Sequence, residues 1–299
     1  MKKFISSLLI LLSVCSSLDA DTTKGKAIMG YLVDGINDIK YKDARVAFSL
    51  WTKDISMGEN IDVHIEYFED AEKTIKAYQN LAFEYLALNP IFYLQYQEVL
   101  DPISKEYWVI QKAQNRYEKM LLLVREESDI KNLNDLKSKS VMIRDDNYMG
   151  ELFLDKEMLQ EVHVSSKKHI KSLLKTKRHS TAILKTFFGK VDACIVPEYS
   201  FKLVSEMNPS ISSKLVPLVI SDAIFTPIMA IFHKNTQSWM IDAFKRNVES
   251  MDKTARGKSI LELFKMKKIR QIDKEEMEPI KAYYSQYLSL QKKYVVDDE

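Results

Sequence analysis

The residues of this chain that could do chemistry are spread thin, and their types point to binding rather than turnover. Five histidines occur among 299 residues, but none stand in the HExxH or HxH spacing that presents two imidazoles to one metal ion. No Gly-x-Ser-x-Gly elbow or glycine-rich phosphate loop is present, and seven glycines leave little room for one. The carboxylates form no telling pair. The sequence therefore implies no cofactor, no metal and no enzyme. What remains are polar and aromatic residues near the ends of apolar segments. Tyr31 stands near the end of "KAIMGYLVD", Asn89 follows "EYLAL", and Glu198 follows "ACIVP". A tyrosine so placed can stack on a ligand or hydrogen-bond it, and a carboxylate can point into a cleft.

Two elements must position these groups. In "KTFFGKVDACIVPEYSF" (185–201) a helix ends at Gly189, and a strand from Ala193 to Val196 breaks at Pro197. Glycine suits the left-handed residue that closes a helix, and proline cannot continue a central strand. In "TIKAYQNLAFEYLALNP" (74–90) a helix runs into Asn80, and a strand from Phe83 to Leu88 stops at Asn89-Pro90. Two such units imply two α/β lobes, each ending a parallel strand at a shared mouth. Ligands bind outside the carboxyl ends of such strands.

The rest of the chain fits that plan. Strands are expected at 26–34, 61–69, 117–128, 140–143, 214–221 and 227–234, with helices at 44–55, 133–136 and 147–159. The Lys- and Arg-rich stretch 166–180 reads as a solvated helix face. Apolar stripes at Ile241, Phe244, Val248 and Met251, and at Met277, Ile280, Tyr284 and Tyr287, predict C-terminal helices.

The beginning of the chain reads as an export signal. Lys2 and Lys3 precede the apolar run 4–15, and Ala20 offers a small residue for cleavage. "LSVC" (12–15) resembles a lipoprotein box with Val14 where a small residue is wanted, so cleavage after Ala20 is expected rather than anchoring through Cys15. Cys194 is then the remaining cysteine, placed in an apolar strand as a buried thiol. The net charge of +2 is too balanced for a protein built around nucleic-acid phosphates.

The order of these segments resembles the periplasmic solute-binding proteins of phosphate, phosphite and phosphonate ABC transporters, with the type II periplasmic-binding fold. The resemblance rests on "LVREESDIKNLNDLKSKSVMI" (123–143), "HSTAILKTFFGKVDACIV" (179–196) and "ARGKSILELFKM" (255–266). It implies two lobes, each a mainly parallel sheet flanked by helices: residues 21–117 with 229–299, carrying the C-terminal helices, and residues 118–228. The hinge would lie near Gln114–Leu122 and Ile224–Met229. A monomer would capture a small molecule between the lobes and present it to a membrane permease or, alternatively, to a histidine kinase or chemoreceptor; a periplasmic enzyme is the third and least favoured reading.

The resemblance also nominates site residues. The family's Ser/Thr-Ser-Gly turn, which holds phosphoryl oxygens at a helix start, reads Asp145-Asp146-Asn147-Tyr148-Met149-Gly150 here. Asp146, Asn147 and Tyr148 are carried over. Asn89 and Tyr93 correspond to the end of the family's third strand, and His179 keeps the position of a ligand-contacting histidine. One cleft is expected to hold Tyr31, Asn89, Asn147, Tyr148 and His179. Two carboxylates at an anion's place would repel a dianion by about 4 kcal/mol per unit charge at about 4 Å. A neutral or cationic ligand is therefore expected.

Overall fold

The computed structural model describes residues 25–32, 46, 49–53, 61–112, 116–145, 147–264 and 266–295. The export signal, Asp146 and Gln114 lie outside these residues. Eleven strands occur among them. In chain order they are β1 (Lys26–Leu32), β2 (Asp62–Phe68), β3 (Tyr85–Leu88), β4 (Ser104–Gln111) and β5 (Met120–Arg125). There follow β6 (Ser140–Arg144), β7 (Ser172–Thr176), β8 (Ala193–Pro197), β9 (Leu215–Ile220), β10 (Met229–His233) and β11 (Lys268–Ile272).

The strands form two sheets, in the orders β11-β4-β10-β3-β1-β2 and β7-β6-β8-β5-β9. Each has a parallel part, β2-β1-β3 in the first and β7-β6-β8 in the second. Antiparallel strands extend both sheets: β10, β4 and β11 in the first, and β5 and β9 in the second. The chain crosses from the first sheet to the second between β4 and β5 and returns between β9 and β10. The two crossings pair at Glu118 and Phe225 as an isolated antiparallel bridge.

Alternation along the strands sorts side chains onto two faces. Leu32, Leu86 and Leu88 belong to a core that also takes Leu122, Val124, Phe153 and Ile195. Tyr31, Tyr85 and Ala87 face the opposite side, among Trp51, Trp108, Phe232 and Phe244. Residues i and i+2 of a strand share a face, so Tyr31 and Leu32 must part.

The expected helix closures are present. Gly189 sits at φ +67, its N–H donating to the Thr186 carbonyl at 3.0 Å while Lys190 reaches Lys185 at 2.8 Å. In the first unit Asn80 caps the helix Ala71–Gln79, and Leu81 takes the left-handed position at φ 54.

Three expectations change. Residues 166–180 are not one helix: a single turn, Ser166–His169, leads into the edge strand β7. The adjacent pair Leu173-Leu174 between Lys171 and Lys175 does not separate an edge strand from a helix face. Strands β4 and β11 are additional to those expected. The C-terminal helices also divide. Met240, Ile241 and Phe244 of Ser238–Ser250, and Ile260 of Ala255–Leu263, pack on the outer face of the first sheet. Glu278–Tyr294 instead reaches the helix Tyr148–Glu161, where Tyr283 Oη donates to Glu157 at 3.3 Å and Tyr287 Oη to Asp155 at 3.1 Å. Its Lys281 returns to Asp101 at 3.0 Å, so this helix touches both halves.

Candidate functional site

The carboxyl ends of three parallel strands meet at one cavity. After β3, the Asn89 side chain accepts from the Ile91 N–H at 2.9 Å and starts the helix Pro90–Gln95. Arg144 closes β6, and Asn147 then caps Tyr148–Glu161 by accepting from the Gly150 N–H at 3.0 Å. Pro197 closes β8, followed by Tyr199 in the next helix. His179 opens the helix His179–Phe187 just beyond β7. The crossings contribute Lys112, Glu118, Met120, Thr226 and Pro227. Together these residues enclose about 30 Å³. Arg144, His179 and Tyr199 also border an outer compartment of about 200 Å³ that includes Lys177, Arg178, Ser180 and Ser200. The cleft is narrow inside and wide and basic outside.

Among the described residues that line the inner cavity, Glu118 Oε1, Asn147 Nδ2 and His179 Nδ1 are sealed from solvent with no hydrogen-bond partner. Buried polar atoms are nearly always paired, so each such atom calls for an explanation. Burial pushes the Glu118 carboxyl up to about 8, because a charged carboxylate loses its hydration there. Burial, and then the Arg144 charge, hold His179 down at about 3. The imidazole is therefore neutral at physiological pH. Lys112 donates to Tyr199 Oη at 3.5 Å, with its ammonium 5.5 Å from that ring's centroid.

The expected site residues separate into two groups. Asn89, Asn147 and His179 line the same cavity. Tyr148 stands beside it, half-buried, its ring 5.7 Å from Phe92. Tyr31, Tyr93 and Glu198 are elsewhere. Tyr31 lies 6.1 Å from both Tyr67 and Tyr85 on the outer face of the first sheet, and burial drives its phenol well above the usual range. Tyr93 is fully buried, donating to Asp101 with its ring 6.1 Å from Tyr107. Glu198 turns to Lys202 on its own helix at 3.1 Å. Asp146 lies outside the described residues. Cys194 is buried, and burial pushes its thiol up to about 12.

Asp145 does not face the cavity as expected. It pairs with Lys177 at 2.6 Å, and Asn147 caps the helix. The repulsion argument therefore fails for Asp145, whose charge has a cation beside it.

Lys112, Glu118, Arg144, Tyr199 and Thr226 were not anticipated. Arg144 follows the strand Ser140–Ile143 just as Asn89 follows its strand, so the same positional rule would have found it. Lys112 and Glu118 lie on a crossing whose preceding strand, β4, was not recognised.

A family profile described as the periplasmic substrate-binding protein of phosphonate ABC transporters matches residues 43–277. No curated protein sequence matches the chain. Among solved structures, a binding-protein component of an ABC phosphonate transporter from Pseudomonas aeruginosa is 15% identical. The match covers 89% of this chain and 88% of that one, with TM-score 0.62. A Prochlorococcus marinus protein solved with methylphosphonate is 14% identical over 87% of this chain and 97% of its own, also at TM-score 0.62. A Xanthomonas citri protein solved with ATP is 9% identical over 90% and 99%, at TM-score 0.63. These likenesses establish the type II periplasmic-binding architecture, and the profile match over most of the chain shows that it belongs to the periplasmic substrate-binding proteins of phosphonate ABC transporters.

Proposed function

We propose that this protein captures a small solute in the cavity between the two sheets and delivers it to its transporter's permease. The observation that carries the reading is the convergence of Glu118 Oε1, Asn147 Nδ2 and His179 Nδ1, all sealed and unpartnered, on one cavity. Three such atoms in one place are the groups a ligand would satisfy. On this reading residues 21–117 with 229–299 form one lobe and 118–228 the other. Rotation is absorbed where the crossings pair at Glu118 and Phe225. Asn89, Asn147 and His179 are the contacts from the strand ends and helix starts, with Tyr148 at the rim. Export through cleavage after Ala20 delivers a soluble monomer to the periplasm.

A solute screen by thermal melting tests this. A ligand that binds only the folded state at 100 times its dissociation constant adds about 2.7 kcal/mol. The shift should vanish in Asn147→Ala and His179→Ala while Glu198→Ala keeps it. A ligand whose shift survives both cavity substitutions would place binding elsewhere.

A further inference from the structure

Between Val162 and Val191 the chain carries eight lysines and arginines and not one aspartate or glutamate, although its net charge over 299 residues is only +2. This stretch folds as the turn Ser166–His169, the edge strand β7 and the helix His179–Phe187. It forms one side of the second sheet, whose order begins at β7. Its bases divide between the two ends of the strands. At the carboxyl ends Lys175 and Lys177 pair with Glu151 and Asp145, and Arg178 borders the outer compartment of the cleft. At the amino ends Lys171, Lys139 and Lys190 lead into β7, β6 and β8, which are neighbours in that order. The Ser138 N–H donates to the His169 carbonyl at 3.1 Å and so holds the turn with Lys167 at this end, while the Lys190 N–H donates to the Lys185 carbonyl at 2.8 Å. Lys167, Lys171, Lys185 and Lys190 are exposed, with no ion pair among the described residues. The acids beside them are engaged. Asp129 pairs with Lys139 at 2.8 Å, Asp135 accepts the Lys131 and Asn132 N–H groups, and Asp192 takes the Ser140 N–H and hydroxyl at 2.7 Å. Glu161, Glu126, Glu127 and Glu206 bound the patch, at the ends of Tyr148–Glu161, β5 and Glu198–Met207.

Apolar side chains stand among these bases. Phe188, which closes the helix, is 66% exposed, whereas Phe187 beside it packs against the core. Leu184, one turn earlier, and Leu174 on β7 are each 38% exposed. We propose that this amino-end rim of the second sheet docks onto an anionic phospholipid surface, its lysines against the headgroups and Phe188 and Leu184 in the acyl boundary. An anionic bilayer offers charge and an apolar layer at one interface, which suits basic residues interleaved with protruding apolar ones. The membrane that holds the permease supplies such a surface. Each lysine near it contributes about fivefold to partitioning at low salt, and less when screened. The solute cavity lies at the opposite, carboxyl ends of the same strands, so docking by the rim leaves it uncovered and does not depend on which solute it takes.

Vesicle flotation of the exported chain, residues 21–299, provides the test, since the apolar run 4–15 is then absent and cannot contribute. Vesicles of phosphatidylcholine alone are compared with vesicles containing about 30% phosphatidylglycerol, at roughly 50 and roughly 500 mM salt. The wild type should bind the anionic vesicles about tenfold tighter or more, and high salt should remove most of that preference. Lys167→Gln, Lys171→Gln, Lys185→Gln and Lys190→Gln together should weaken binding about twentyfold or more, and Phe188→Ala about threefold. Lys253, Lys258, Lys267 and Lys268 are exposed on and beside the first sheet, and changing these four to Gln removes the same charge while leaving binding within about twofold. If the first quadruple variant fails to fold, the lipid and salt dependence of the wild type together with Phe188→Ala decides. Equal binding to both vesicle types, or an equal loss in the second quadruple variant, would overturn the proposal. Absence of vesicle binding would overturn it too. Binding of a single-stranded RNA in place of vesicles, lost in the first quadruple variant, would also overturn it and leave the rim to another polyanion.

Discussion

Glu118 and Phe225 exchange both backbone hydrogen bonds, N···O 2.8 and 3.2 Å, and so tie the two crossings between the sheets together. The cavity carboxyl and the pairing of the crossings therefore belong to one residue: the side chain of Glu118 lines the cavity while its backbone bonds to Phe225. Phe225 in turn packs against Tyr283 of the last helix, ring centroids 5.5 Å apart. The last helix is thus in contact with the paired crossings as well as with Tyr148–Glu161.

That contact gives a first prediction. Tyr283→Ala removes a half-buried ring lying over the Lys156 ammonium at 4.4 Å and against Phe225. Aromatic truncation in a core costs about 3–5 kcal/mol, and partial exposure here lowers that to roughly 1–3 kcal/mol. Amide exchange at Glu118 and Phe225 should accelerate in the variant beyond what the loss of global stability explains. Unchanged relative protection at those two amides would show that the last helix does not brace the hinge.

A second prediction concerns pH. The Glu118 carboxyl titrates near 4.5 when exposed and near 8 in the folded protein. Between these values the folded form holds a proton that the unfolded chain has lost, so this group's contribution to stability falls as pH rises through that window. Glu118→Gln lacks the titration. Its melting temperature relative to wild type should therefore climb from pH 5 to pH 8, a gain on the order of a few kcal/mol at the upper end. A difference that stays constant across this range would mean that the carboxyl is hydrated.

Gly150 makes a third case. A Cβ there would stand 2.6 Å from Asn147 Nδ2 and 2.9 Å from Ile143 Cδ1. Alanine is normally preferred over glycine within a helix by about 1 kcal/mol. Here the added methyl must displace the amide that caps the helix and faces the cavity. Gly150→Ala should thus lose about 1–2 kcal/mol of stability and weaken solute binding about tenfold. A more stable variant with unchanged affinity would show that Asn147 has room to move.

What the sequence revealed about the site follows a physical boundary. Asn89 was legible because Asn89-Pro90 stops a strand, whereas Asn147 and His179 were nominated by their places in the family pattern, and the structure puts both at helix starts. Such positions are fixed by local rules. Tyr31 was misleading because the strand end was visible but its phase was not. One residue's shift along β1 decides between the cavity side and the outer face, and only packing settles it. Glu198 shows the same limit on a helix, where Lys202 one turn on claims it. Glu118 was missed as a site residue for a different reason, although the crossing that carries it, near Gln114–Leu122, was expected. The resemblance places the two crossings together, but no periodicity records which side chain of a crossing turns into the cavity. The two-sheet architecture was readable from its helix–strand units, while the edge strands β7 and β11 were not, nor was β4 between β11 and β10. Edge strands need bury only one face and carry mixed polar sequences that resemble surface helices.

The last prediction tests the state of His179. Burial is the larger cause of its depressed value of about 3, and the Arg144 charge adds to it. The ring should remain neutral through the physiological range, and its Cε1–H resonance should not move between pH 5 and 8. Linkage gives the matching stability signature. The unfolded chain takes up a proton near 6.5 that the folded ring refuses, so this group costs stability as pH falls below about 6.5. Arg144→Gln should raise the folded-state value, though not back to 6.5, because the larger cause remains. A neutral imidazole in place can donate a hydrogen bond from Nδ1 without adding a charge to the cavity. A resonance titrating near pH 6.5 in the wild type would show that the ring is hydrated, and His179 would then bind its solute as a cation in acid and as a neutral donor above it.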